Sequence, residues 1–533
     1  MSADQFSGAD ARPPSKAGAW KHVAIYGLLT LIALFPVLSV EIPGLEDYPN
    51  HLARIYILSH YQTSEALRRF YDVHWRPIPY LGMDASLMVL LKIANIYNAG
   101  RIFVGACILM PVASVAALHF VTCRRASLVP TAAFLLGYNF ILRWGFLNYL
   151  PILCLAVLVF AGWVATVDSP RWPRLLVFSV LALILYFGHL VAFGAYCLMV
   201  ATFEIFRTRY RWTWDWRRVA ADWAYAALQA VPAAIVLAST KVDRPFVGPL
   251  YTAYGQPSEK LMAILSPVLF TLSTTEVVIA LVSVLVLVFA GLTGRVRFTP
   301  PVFWIFAVVG LLAVCVPSRL LDVFGMDFRL PLLAAMLLVA AVETTERADA
   351  LFRRGAVVFI ILMSALHSWE VASALRAVDQ ELAILRGVLA EMPVGMRLLT
   401  VDVSDDRRNT ADQKMAATRH APLLAVIDRE AFVPTLFTGL STVEPSRAMR
   451  ASATPNGAPY PDLAQLVAGY QKLDDPNSDI PSGFGGRVYW LGWERKFDYV
   501  LVLHYGRRPN ALPGHLRLVD SSEVADLYEI SGR

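Results

Sequence analysis

Glu41-Ile42-Pro43-Gly44-Leu45-Glu46-Asp47-Tyr48-Pro49-Asn50-His51-Leu52-Ala53-Arg54 begins where the first apolar run, Val23 to Val40, stops. Two carboxylates, a histidine and an arginine thus stand at a membrane surface, just past a hydrophobic helix. A loop that only reverses the chain needs none of them. The residue before Pro49 is pushed away from helix, and Pro49 itself suits a first helical turn. The pattern predicts a tight turn presenting Asp47, then an interfacial helix from about Asn50 with His51 and Arg54 on one face. The same residues also fit a plain helix cap at Asp47 and a snorkelling arginine at Arg54.

Composition places the chain in a membrane. It is 57% hydrophobic and 17% charged, against about 25% charged in average soluble chains, and its mean hydropathy is +0.52. The net charge of +6 needs no nucleic acid, since arginines beside apolar runs are what membrane orientation demands. No nucleic-acid-binding module appears. Cys107, Cys123, Cys154, Cys197 and Cys315 lie in or at the ends of apolar runs, with no metal-ligand spacing and no disulfide framework.

Residues 1–20 read as a disordered cytoplasmic N-terminus. The run after them is longer than a signal-peptide core and lacks a cleavage site, so it reads as an uncleaved first span. Further spans are expected at 102–122, 127–143, 148–167, 174–188, 190–206, 219–239, 276–291, 300–317, 331–345 and 355–371, about eleven in all. The apolar stretch Leu87 to Ile96 is too short to cross and reads as re-entrant or interfacial. Alternating from a cytoplasmic N-terminus puts the arginine-rich loops, such as Arg207 to Arg218 and Glu346 to Arg354, repeatedly inside. The fold class expected is therefore an α-helical polytopic membrane protein with a C-terminal extracytoplasmic α/β domain. The transmembrane domain covers 21–371, with a long first extracytoplasmic loop at 41–101, and the soluble periplasmic domain covers 372–533. Within it, Met396 to Val403, Tyr499 to Leu503 and Leu516 to Val519 read as strands; Asp379 to Leu389 and Asp462 to Leu473 read as helices.

With that topology, separated patches share the outer face: the Asp47 loop, Arg143 to Tyr149, Tyr186 to His189, and Ser318 to Pro331, with Lys241 to Lys260 beside them. Taken singly, Arg143 and Arg329 fit interface anchors, and His189 fits a satisfied turn histidine. Together they run against the positive-inside rule, because Arg143, Arg244, Arg319 and Arg329 all lie outside. Arginine suits bidentate phosphate binding. Arg329, Arg143, Arg319, His189, Asn148 and Arg54 are the substrate-binding candidates.

A multi-span chain with an acidic residue in its first outer loop resembles the GT-C superfamily of membrane glycosyltransferases. Glu46-Asp47-Tyr48-Pro49-Asn50-His51 is similar to the acidic-x-Pro-x-His pattern of the protein mannosyltransferase and aminoarabinose-transferase branches. The resemblance implies inverting transfer of a sugar from a polyprenyl-phosphate donor to a glycan, lipid or protein acceptor. A bacterial inner membrane fits the arginine-rich inside loops and the cysteine-free outer domain. It implies Asp47 as general base, with Glu46 and His51 orienting it or the acceptor, and Arg329 stabilising the departing phosphate. Some branches add a second acidic residue and a metal. Here Asp72 and Asp84 share one loop, so no cofactor beyond the lipid-linked donor is assigned and a divalent metal stays open. Two other readings are a transporter or flippase for a lipid-linked or small polar substrate, and a non-catalytic assembly protein. Transporters favour charged groups at mid-membrane and internal repeats, and neither is visible.

Overall fold

The computed structural model describes residues 16–210, 216–239, 252–320, 323–403, 418–438, 441–454, 460–463, 465–466, 489–506, 508–509 and 512–531. Helix α1 (Lys16–Leu38) leads into the turn before α2 (Tyr48–His60) and α3 (Glu65–Phe70), followed by β1 (Tyr71–Val73), α4 (Gly82–Leu90) and α5 (Ile96–Cys123). Then come α6 (Phe140–Arg143), α7 (Leu150–Ala165), α8 (Arg171–Gly188), α9 (Leu190–Tyr210), α10 (Trp216–Leu228) and α11 (Val231–Ser239). Next are α12 (Pro257–Leu265), α13 (Thr274–Leu292), β2 (Val296–Phe298), α14 (Pro300–Cys315), β3 (Arg319–Leu320) and β4 (Val323–Phe324). The helical part closes with α15 (Met326–Ala341), β5 (Val342–Thr344) and α16 (Ala350–Ala390). The C-terminal part holds β6 (Leu398–Asp402), β7 (Val443–Pro445), β8 (Tyr499–Leu503), β9 (Leu516–Ser521) and β10 (Ala525–Ile530).

The architecture is the expected one: apolar helices, then a C-terminal α/β domain. Among the described residues, six helices are long and apolar enough to cross a membrane. The pair α10 and α11, bent by 52° at its break, makes a seventh if counted as one span. Helices α7 and α14 are shorter apolar helices of 16 residues. The stretch expected as a span at 127–143 is not a continuous helix. It is a 3-10 turn at Val129–Leu136 followed by α6. Asn139 breaks the run: its side chain caps the new helix by accepting from the Leu142 amide at 2.9 Å. Arg143 and the loop after it thereby lie against the Asp47 turn.

The C-terminal domain is not a separate bead. Helix α16 runs 41 residues without a break through position 372, and carries the expected Asp379–Leu389 helix as its last turns. The sheet has the order β6-β8-β10-β9, with β6 and β8 parallel and the other pairs antiparallel. The expected strands are β6, β8 and β9; the expected helix Asp462 to Leu473 lies largely outside the described residues. A second sheet joins the halves: β1, in the first loop, pairs antiparallel with β7. Asn50 of α2 adds a clasp, donating to the Thr435 carbonyl at 3.0 Å and accepting from the Phe437 amide at 2.9 Å. The first loop and the C-terminal domain thus form one structure.

Arg54 holds the floor of this assembly. Its Nη2 lies 2.6 Å from Asp84 Oδ1, with both side chains buried, so it neither snorkels nor faces an open site. Asp84, weighed from the sequence as a second acidic residue, is the partner of that pair, and Thr442 Oγ1 lies 3.5 Å from its other oxygen. Removing one partner strands a buried charge, which costs roughly 3–5 kcal/mol. Asp84→Ala is expected to lower the thermal denaturation midpoint of the detergent-purified protein sharply, as read by loss of the monodisperse peak after heating. Arg54→Ala should do the same.

Candidate functional site

Asp47 stands at the N-cap position of α2 with φ −85° and ψ −5°, yet its side chain makes no capping hydrogen bond. Pro49 fills the first turn, as the sequence predicts. The carboxylate is therefore not occupied with the helix start. Its backbone is held from the other side. The Glu46 amide donates to the Arg143 carbonyl at 3.0 Å and the Asp47 amide to the Trp144 carbonyl at 3.1 Å. This pairing requires Gly145, which has φ +76° and comes so close that a Cβ there would lie 2.8 Å from the Asp47 nitrogen.

The Asp47 side chain remains 19% accessible. Burial and the neighbouring Glu46 carboxylate nevertheless push its pKa well above the ordinary 3.8, against the opposing pull of Arg419 and Arg329. Glu46 is also raised by burial, with Arg419 and Arg143 opposing. Arg419 Nη1 lies 3.3 Å from Glu46 Oε1, and His420 Nε2 lies 3.5 Å from Asp47 Oδ1. His51 donates its backbone amide to the Asp47 carbonyl at 3.1 Å. Burial first, and then Arg54 and His420, hold the His51 ring well below the usual imidazole range, so it is neutral.

Arg329 rises from the second turn of α15. Its Nη1 donates to the Phe324 carbonyl at 2.6 Å, and its guanidinium covers the rings of Phe146 at 4.7 Å and Tyr149 at 5.5 Å. The Tyr149 hydroxyl donates to the Arg329 carbonyl at 3.0 Å. Its Nε is buried with no partner among the described residues, leaving an unmatched donor in the site. Tyr80 and Tyr149 set their rings edge-on to His189, at 4.7 Å and 5.1 Å. Burial, then Arg329, keep His189 well below its usual pKa. Tyr80 has φ +79°, a conformation that is strained for an aromatic residue.

The sequence-predicted candidates therefore divide. Glu46, Asp47, His51, Arg143, His189 and Arg329 are brought together. The Asn148 Oδ1 is buried nearby without a partner among the described residues. Arg319 sits further out on β3, over the Phe324 ring at 5.8 Å. Arg54 belongs to the ion pair below the site. Arg244 and the first part of Lys241 to Lys260 lie outside the described residues. Arg419, His420 and Tyr80 were not anticipated. The positive φ of Tyr80 has no sequence signal, and the other two belong to a domain far away in the chain. Among the described residues, no cluster of three or more His, Cys, Asp or Glu could hold a metal.

A cavity of about 980 Å³ lies along α13, α15 and α16. Pro331, two residues beyond Arg329, is on its wall, with Leu136, Leu287, Leu338, Val339 and Ile360. Arg125 just after α5, Glu343 just after α15 and Arg353 in the first turn of α16 also stand on its wall.

No family model matches the sequence, and no curated protein does. Among solved structures, the chain is similar to ArnT from Cupriavidus metallidurans bound to undecaprenyl phosphate, with a TM-score of 0.48 and 10% identity over 97% of this chain and 100% of that one. It is likewise similar to ArnT from that organism in the apo state, with a TM-score of 0.47 and 12% identity over the same shares. ArnT is a GT-C aminoarabinose transferase.

Gly145→Ala is expected to cost about 1–2 kcal/mol from the left-handed backbone alone and to displace Asp47 besides. The variant should be made in normal amount and show a lowered melting midpoint; an unchanged midpoint would mean that the close approach does not hold the Asp47 turn.

Proposed function

We propose that the chain is an integral membrane glycosyltransferase of the inner membrane, moving a sugar from a polyprenyl-phosphate donor to an extracytoplasmic acceptor with inversion. The observation that carries this reading is the pairing of an accessible, high-pKa Asp47 with a buried arginine, Arg329, that keeps an unmatched donor. Asp47 takes the proton of an acceptor hydroxyl as the oxygen attacks the anomeric carbon. A raised pKa makes the carboxylate a stronger base than a solvated aspartate. The bond from that carbon to the phosphate oxygen breaks, and the electron pair leaves with the phosphate. Arg329 faces the growing negative charge in a site shielded from water, where one donor is worth several kcal/mol in water-free surroundings. The cavity beside α15 begins two residues from Arg329 and is lined mainly by apolar side chains, with Arg125, Glu343 and Arg353 away from that end, which suits a long hydrocarbon chain attached to that phosphate.

The bent pair α10–α11 is a feature shared with transporters. At its break Gln229 accepts from the Tyr196 hydroxyl of α9 at 2.5 Å, and both are neutral. A charged substrate path is not marked there, so transport is the weaker reading.

The test is transfer or release of radiolabelled sugar from a panel of polyprenyl-phosphate sugars by purified wild type and Asp47→Asn. Loss of a general base lowers the rate by about 10²–10⁴-fold. Full activity in Asp47→Asn sinks the proposal. The same variant should be more stable than wild type. A carboxyl raised in the folded state binds its proton more tightly there than in the unfolded chain, so its contribution to stability is lost as pH rises from about 3.8 through the folded value. The amide removes that penalty, and the gain in melting midpoint should be present at neutral pH and absent in acid.

Arg329→Gln keeps the shape of the site but removes its charge. A loss of about 10²–10³-fold in kcat is expected if the arginine stabilises the leaving phosphate. An unchanged kcat would assign it to packing against Phe146 and Tyr149 alone.

A further inference from the structure

We propose that His420 is a positioning residue for Asp47, supplied by the C-terminal domain, so that the carboxylate is fixed only while the segment 418–438 is seated on α2. The proposal rests on the reading of Asp47 as the reacting carboxylate and adds a mode of control to it.

The geometry is specific. His420 Nε2 lies 3.5 Å from Asp47 Oδ1, and the residue is 4% exposed. Its ring is held edge-on by Phe437 at 5.0 Å, and the opposite neighbour of Phe437 is His51 at 6.1 Å. Phe437 is in turn fixed by its backbone amide on Asn50 Oδ1, three residues after Asp47. The same asparagine donates to Thr435. One side chain of α2 therefore sets the depth at which the histidine meets the carboxylate. Arg419, the preceding residue, reaches Glu46 in parallel, and the Tyr460 hydroxyl anchors the Arg419 carbonyl at 2.9 Å.

The protonation pattern follows from what each nitrogen faces. His420 Nδ1 is buried with no partner among the described residues. An unmet N–H there is costly, and placing the proton on Nε2 aims it at the carboxylate instead. Burial, with Arg419 beside it, lowers the His420 pKa to about 3, so the ring offers one N–H and no net charge. At 3.5 Å the contact is longer than a formed N–H···O hydrogen bond, which reaches about 3.2 Å. Catalytic hydrogen bonds are often long before substrate binds and tighten afterwards. The other charged or titratable groups facing Asp47 are Glu46 of its own turn, Arg419 beside His420 and Arg329 of α15. His51 lies one turn along α2, and Arg143 acts on Glu46. His420 differs from these in having a single directed donor within reach of an Asp47 oxygen.

The experiment follows Asp47 itself and needs no turnover. The full-length protein in detergent is treated with dicyclohexylcarbodiimide across a pH series, and the modified Asp47 peptide is measured by mass spectrometry. The reagent reacts with the protonated carboxyl, so the midpoint of labelling reports its titration. A donor to the carboxylate favours the charged form. Removing it in His420→Ala should move the midpoint up by about one pH unit, and His420→Gln, whose amide can still donate, should restore part of it. Asn50→Ala leaves His420 in the chain but releases the clasp, and should move the midpoint the same way. In the radiolabel assay His420→Ala should lose kcat while KM for the donor is kept. An unchanged midpoint in His420→Ala overturns the proposal, as does absence of Asp47 labelling at every pH in wild type. An active Asp47→Asn overturns the glycosyltransferase reading instead, and leaves the labelling result to stand on its own.

Discussion

Two backbone hydrogen bonds hold the rest of the site in place: the amides of Glu46 and Asp47 on the carbonyls of Arg143 and Trp144. They bring a turn from the first loop against a turn almost a hundred residues later, without using either acidic side chain. Only a residue without a Cβ permits that approach, and Gly145 sits at the point of contact with φ +76°. Because main chain holds main chain, the carboxylates are left over for chemistry. The helix that follows is started by Pro49 rather than by a carboxylate cap, which leaves Asp47 free in the same way.

Around that joint the protein keeps several charges in poorly solvated surroundings. Desolvation raises Asp47 and Glu46 and lowers His51, His189 and His420. The raised carboxyls cost stability above their ordinary pKa, and the lowered histidines only below theirs, near 6.5. The β1–β7 strands, the Asn50 clasp and the long α16 hold the surrounding segments together. Such concentration of perturbed groups at one accessible place is the pattern expected of a reaction site.

Much of this was legible beforehand. Apolar runs separated by arginines fix where helices can cross and which loops lie together, because lipid forbids unpaired backbone and charge sets orientation. That reasoning gathered Asp47, Arg143, His189 and Arg329 on one face, and the structure sets them in one neighbourhood. It failed at 127–143, where hydropathy is that of a span but Asn139 restarts the helix. It failed at Arg54 too. An arginine on an interfacial helix has the same signal whether it faces lipid headgroups, a substrate or Asp84, and only the fold supplies the partner.

The sequence by itself determined the class of molecule and singled out Asp47 as the candidate on which the proposed chemistry centres. Hydropathy and loop charge act over short stretches of chain, and the Glu46 to His51 stretch is local as well. The tertiary structure alone decided which groups surround Asp47. Arg419 and His420 stand more than 370 residues away, in a domain whose strands carry no mark of the site. They arrive there through Asn50, Phe437 and the β1–β7 pairing, contacts between distant segments that no local pattern encodes. The environment that shifts the pKa of a carboxylate is a property of everything packed against it, and that is set only when the chain has folded.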